Sequence, residues 1–254
     1  MTEPFSHTHR RPVSAAASRR APAADVPTGA KVAPGEAEDT RSALIRAGID
    51  LFGRNGFDGA STREIARAAG VNIAGIVYHF GSKAGLHRTC GEAIAAIVAE
   101  IVGPLAITPE ILDDLEPDAA ADLFVTTLMG IGRFMLGRPE AETIARFMVR
   151  EQMDPTETFA VLYERLIRPR HEAMCRLFGR ATGEDPRRAD LIVAVSAMFG
   201  QIMFFRVGRA TALARLGWAT IDADRLDIIL GVVTDQIRAT IAARRAAASR
   251  ETRS

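Results

Sequence analysis

The chain has 254 residues, 48% of them hydrophobic and 25% charged, which is enough for one large domain or two modest ones around a sizeable core. Its formal net charge of +1 predicts no polyanion partner by itself, so any such role must rest on a local basic patch. Two cysteines, Cys90 and Cys175, exclude a disulfide framework, and five histidines without metal-ligand spacing exclude a metal cluster.

Residues 1–37 are rich in Ala, Pro, Ser and Arg, and Pro12, Pro22, Pro27 and Pro34 interrupt every periodic stretch. This segment is expected to be a disordered tail, with Arg10, Arg11, Arg19 and Arg20 either solvated or weakly attracted to DNA. Its polar start offers no apolar signal-peptide centre, and no uncharged run approaches the ~18–20 residues of a membrane span. A cytoplasmic protein with no membrane partner is expected.

From Asp39 the pattern becomes helical, with Leu44, Ile45, Ile49, Leu51 and Phe52 at spacings of three and four and with Gly53 and Gly56 as stops. Ser61 or Thr62 caps a second helix that carries Glu64 in its first turn and ends at Gly70. A third helix spans about 72–79, and Gly81-Ser82-Lys83 opens a fourth that runs to about Val102. Further helices are expected over about 118–136, 140–152, 156–181, 187–214 and 222–247, with residues 248–254 as a flexible end. With no alternating strand pattern, the fold class is all-α. A small unit over 38–84 would precede a larger helical bundle over 85–247.

Ala69-Gly70-Val71 is small, flexible, then apolar, and suits the tight turn between two steeply crossing helices. In such a pair the second helix enters the major groove of DNA. Ile73, Ile76 and Phe80 are spaced to pack on the preceding helices, which leaves Asn72, Ala74, Gly75 and Tyr78 nearer the outer face. Small residues at 74 and 75 would let the backbone approach base edges.

Thr62-Arg63-Glu64-Ile65-Ala66, Ala69-Gly70-Val71, Tyr78-His79-Phe80 and Ser82-Lys83, after Phe52 and Gly56-Phe57, resemble the DNA-binding unit of the TetR family of transcriptional regulators. The resemblance implies that Thr62 meets a phosphate at a helix N-terminus and that Arg63 reaches a base edge. It also implies that Asn72, Ala74 and Gly75 sit where bases are read, and that Tyr78, His79 and Lys83 grip phosphates. Local readings remain beside these: Thr62 and Asn72 as helix caps, Tyr78 and His79 as packing, Arg63 as a solvated charge. Val77 and Ile73 depart from the aromatic and polar residues common in the family. Their presence shifts readout toward Arg63, Asn72, apolar contact and DNA shape.

The segments Arg150-Glu151-Gln152-Met153-Asp154-Pro155-Thr156, Arg168-Pro169-Arg170-His171, Gly200-Gln201-Ile202, Phe205-Arg206-Val207-Gly208 and Leu216-Gly217-Trp218 resemble the CecR-type branch of that family. They imply an effector-binding and dimerisation domain. Leu191, Val195, Met198, Phe199 and Ile202 on one long helix, and Leu226, Ile229, Leu230 and Val233 on another, form stripes that suit a two-fold four-helix interface or the intrachain core. Phe134, Phe147, Tyr163, His171, Met174 and Met203 suit an adaptable apolar pocket, with Arg150, Glu151 and Arg206 as polar groups that orient a ligand or pair internally, Glu151 with Arg206 among them.

The expected protein is therefore a homodimeric repressor that binds an inverted-repeat DNA operator, is released by a small-molecule effector, and needs no cofactor or metal. Two alternatives are a redox-responsive regulator using Cys90 or Cys175, and a helical-bundle enzyme or scavenger with a docking module. The chain shows no phosphate-cradling glycine loop and no nucleophile with an evident base, so an enzyme is not expected.

Overall fold

The computed structural model describes residues 34–102 and 109–251, and the described residues form helices and turns with no strand among them. The expected tail lies outside the described residues as far as residue 33. Residues 34–37 are already helical, in α1 (Pro34–Gly59). At the other end the last helix continues to Glu251, four residues into the segment expected to be flexible, and 252–254 lie outside the described residues.

Three helices build the N-terminal unit. Gly56 breaks α1 near its end, with φ 74° and ψ 175°, a backbone conformation open to glycine. Gly53, expected to stop the helix, lies inside it instead, because a helix of the larger bundle passes there. A Cβ at Gly53 would come within 3.1 Å of the Phe147 backbone nitrogen and 3.3 Å of the Arg146 Cβ. The second helix, α2 (Thr62–Ala69), starts with a complete capping box: Ser61 Oγ accepts from the Glu64 N–H at 3.1 Å, and the Glu64 carboxylate accepts from Ser61 N–H and O–H. It stops at left-handed Gly70, and α3 (Ala74–Phe80) follows.

The long α4 (Lys83–Val102) leads into the bundle. After the short α5 (Pro109–Asp114) come α6 (Pro117–Gly137) and α7 (Pro139–Met153), each with proline in its first turn, where the missing N–H costs nothing. The single helix expected over 156–181 is a composite of α8 (Glu157–Leu162), a π-helical segment at Tyr163–Ile167, and α9 (Arg168–Thr182). Pro169 is the physical reason: its ring cannot sit over a regular turn, and widening the preceding turn accommodates it. The expected helix over 187–214 divides at Gly208 into α10 (Ala189–Val207) and α11 (Arg209–Leu216), and α12 (Ala223–Glu251) closes the chain.

The core of the larger unit lies where α6 packs on α9 and α12, around Phe124, Leu128, Leu177, Phe178, Ile202 and Ile237. Arg244 binds both Glu184 oxygens at 2.8 and 2.9 Å and Asp190 at 2.7 Å, and Arg245 reaches Asp118 and the Ala181 carbonyl, so the end of α12 is tied to α6 and α9. By length and mean hydropathy alone, α6 and α10 could each cross a membrane. Half of the α6 window is buried in this core, whereas α10 keeps much of its apolar surface exposed.

Candidate DNA interface and effector pocket

Helix α3 is held by Ile76, which is buried, and by Phe80, which carries the Arg41 guanidinium 5.7 Å above its ring. That anchoring turns Asn72, Ile73, Ala74, Val77 and Tyr78 to solvent, with Val77 66% and Tyr78 78% exposed. Two expectations change. Ile73 does not pack inward: it stands just before the first turn of α3, outside the helical periodicity that buries Ile76. Gly75 faces α1, where an added Cβ would meet Leu44 at 3.6 Å and Thr40 at 3.8 Å, so it serves close helix packing rather than the outer surface.

The other expected DNA contacts cluster around this face. Arg63 is exposed and Thr62 half-buried in the first turn of α2, whose cap is Ser61 rather than Thr62. Asn72 does cap: its Oδ1 accepts from the Ala74 N–H at 2.9 Å, which leaves its amide hydrogens free to point elsewhere. His79 is half-buried edge-on to Tyr78, ring centroids 4.8 Å apart. The Lys83 ammonium lies 4.6 Å over the Phe57 ring and donates to the Asp58 carbonyl at 3.4 Å, so the start of α4 is fastened to the end of α1.

In the larger unit an apolar cavity of about 330 Å3 opens between α6, α7, α9 and α10. Phe134, His171, Met174 and Met203 line it as expected, together with Gln152, Arg170 and the carbon-rich wall of Leu128, Met148 and Phe199. His171 is oriented by two neighbours. Its Nε2 donates to Ser196 Oγ at 3.0 Å, because that hydroxyl already donates to the Ile192 carbonyl at 2.8 Å, and its Nδ1 faces the Cys175 thiol at 3.5 Å. Burial lowers the His171 pKa, against a smaller opposing pull from Glu172.

Five expected pocket residues lie elsewhere. Phe147 is buried on the far side of α7 between Phe52 and His87, with centroids at 6.5 and 4.9 Å. Tyr163 is 41% exposed and stacks on Phe159. Arg150 donates to the Arg54 carbonyl at 3.1 Å and Arg206 to the Arg138 carbonyl at 3.5 Å, both in a separate cleft. Glu151 is buried but does not meet Arg206. It accepts from Thr156 Oγ1 at 2.9 Å and lies 3.5 Å from His87 Nε2, while His87 Nδ1 pairs with Thr158 Oγ1 at 2.8 Å.

The dimer stripes are also redistributed. Leu191, Val195, Met198, Ile202, Leu226, Ile229, Leu230 and Val233 are all buried within one chain, and Phe199 lines the cavity. The large apolar side chains that α10 and α12 leave most exposed are Val193, Phe204, Val207, Ile228 and Val232, with Ile192 and Phe199 exposed to a lesser degree. Both helices are apolar around most of their circumference near these positions, so spacing alone could not choose which face turns inward.

The thiols are protected. Cys90 is fully buried against the Ile45 carbonyl, with its pKa raised by desolvation, and burial pushes Cys175 up to about 11. Neither has the lowered pKa or the exposure of a reactive cysteine.

Comparison with known proteins agrees with this geometry. Residues 44–89 match the family model for bacterial regulatory proteins of the tetR family, and residues 120–244 match the C-terminal domain of the HTH-type transcriptional dual regulator CecR. The CecR regulator of Shigella flexneri is 34% identical over 203 residues, spanning 79% of this chain and 90% of that protein. The HTH-type regulatory protein RaaS of Mycobacterium tuberculosis is 50% identical over 60 residues, 23% of this chain and 28% of its own. A TetR-like regulator from Rhodococcus sp. RHA1 shares the fold, with a TM-score of 0.56 and 17% identity over 80% of this chain and 96% of the other. The chain belongs to the TetR family of DNA-binding transcriptional regulators, in the branch that carries the CecR-type C-terminal domain.

Proposed function

We propose that this regulator is a homodimeric, cytoplasmic repressor whose two N-terminal units, over 38–84, read an inverted repeat and whose bundle, over 85–247, releases them on binding a small-molecule effector. One observation carries the proposal: α7 is shared between the two units. Ala145, Met148, Val149 and Gln152 on one side of α7 line the apolar cavity, while Phe147 and Glu151 on another side pack against Phe52 and His87. An effector that wedges α7 away from α6 and α10 displaces α1 and α4 with it. Release requires that the effector bind the two arrangements with different affinity.

The DNA face consists of Arg63, Asn72 and Tyr78 with the apolar Ile73, Ala74 and Val77 between them, and Thr62, His79 and Lys83 at its edge. Exposed isoleucine and valine suit thymine methyl groups in the major groove, and Arg63 suits guanine. The dimer would use Val193, Phe204 and Val207 of α10 with Ile228 and Val232 of α12, the most exposed large apolar side chains on those helices. The redox alternative has buried, protonated thiols against it.

Selection of bound duplexes from a random pool tests the reading. Wild type should return an inverted repeat. Arg63→Ala should relax preference at one position per half-site by about 1–3 kcal/mol. Lys83→Ala should weaken all sequences alike and flatten the salt dependence. Recovery of single, unpaired sites, or equal loss of preference from both variants, would overturn it.

A further inference from the structure

Two neighbouring hollows differ in character. One is the apolar cavity. The other is a cleft of about 420 Å3 that also touches Ala145 and Val149 and carries Arg146, Arg150, Arg206 and Arg209 against a single acid, Glu142. Glu142 is committed to Arg146 one turn away. The other three guanidiniums find only neutral acceptors: Arg150 the Arg54 carbonyl, Arg206 the Arg138 carbonyl, and Arg209 the Thr220 hydroxyl at 3.2 Å. The Nε of Arg206 is buried with no hydrogen-bond partner.

Gathering like charges at a concave surface is unfavourable unless an anion completes it. A lone carboxylate would neutralise one of three uncompensated cations. A phosphate offers more charge and several acceptor oxygens, and guanidinium forks from different directions match it. Ala145 and Val149 border both hollows, so a charged group in the cleft and an apolar body in the cavity would lie on either side of the same two side chains.

We propose that Arg146, Arg150, Arg206 and Arg209 form a phosphate subsite beside the effector pocket, so that the effector is an amphiphile with an apolar body and a phosphorylated head. This deepens the effector-pocket reading and rests on it.

Calorimetric titration of the full chain with octyl phosphate, octanol and pyrophosphate tests both levels. Octyl phosphate should bind at least roughly tenfold more tightly than octanol, the value of about one good charge-assisted contact. The double variant Arg146→Gln, Arg209→Gln removes two of the four guanidiniums; it should reduce that advantage and the binding of pyrophosphate severalfold while leaving octanol and operator DNA binding unchanged. Met174→Trp should fill the cavity and weaken octanol and octyl phosphate together. Equal binding of octanol and octyl phosphate by wild type overturns the phosphate subsite and leaves the apolar pocket standing. Indifference of both ligands to Met174→Trp overturns the pocket itself. A fall in operator affinity in the double variant would assign the cleft to DNA backbone phosphates, and so overturns the subsite as well.

Discussion

A polar junction almost closed to solvent joins His87 to Glu151 and Thr158, where α4, α7 and α8 meet. Desolvation among Phe52, Phe57 and Phe147, with the Lys83 charge nearby, holds the His87 pKa down to about 4. The folded chain therefore resists a proton that the unfolded chain accepts near 6.5. The stability this contributes is complete above pH 6.5 and drains away as pH falls toward 4. At about 1.4 kcal/mol per pKa unit, the loss should be about 3 kcal/mol. Urea denaturation of wild type and His87→Gln at pH 7.5, 5.5 and 4 would measure it: the wild type should lose the extra amount on acidification and the variant should not. Parallel decline of the two proteins would show that His87 titrates normally. In the sequence Glu151 stands out as a polar residue near buried segments, with Arg206 as one candidate partner; the partners it meets are Thr156 and His87. His87 gave no local signal, since Thr158 lies 71 residues away and a histidine inside a helix has no signature of its own.

At the scale of elements, most helix boundaries could be read because their causes are local: prolines at the starts of α6 and α7, left-handed glycines after α2, α9 and α11. The π-helical turn before α9 and the inward face of α10 could not, because each depends on how neighbouring helices press on the segment. Two glycines make that distinction measurable. Gly179 in α9 sits under the loop that follows it, where a Cβ would stand 2.7 Å from the Glu184 carbonyl oxygen and 3.3 Å from Pro186. Alanine is the better helix former, but here backbone must move, so Gly179→Ala should cost about 1–3 kcal/mol. Gly130 in α6 is exposed with nothing within 4 Å of a Cβ, and Gly130→Ala should gain about 0.5–1 kcal/mol. Denaturation midpoints with unchanged slopes would show the opposite signs, and matching shifts would refute the packing argument.

At the scale of the whole molecule, α7 makes the DNA unit and the bundle one mechanical body, and the remaining question is what covers the far side of the bundle. Val193, Phe204 and Val207 recur at spacings that keep them on one side of α10, with the small Ala197 and Gly200 between them, and α12 adds Ile228 and Val232. Phe204 is 52% and Val232 54% exposed, so charges placed there meet water in a lone chain and disturb no core. The double variant Phe204→Glu, Val232→Glu should therefore keep its helical circular dichroism and its melting cooperativity yet sediment as a monomer. Losing the partner removes the second half-site contact, so operator affinity should fall by about two orders of magnitude or more. Leu230→Glu provides the contrast. Leu230 is buried, and its side chain meets Gly132 of α6, so a charge there should unfold the chain rather than separate two folded copies. If the surface variant still sediments as a dimer, the two-fold axis lies elsewhere on the bundle, and the geometry by which displacement of α7 separates the two reading heads must be redrawn.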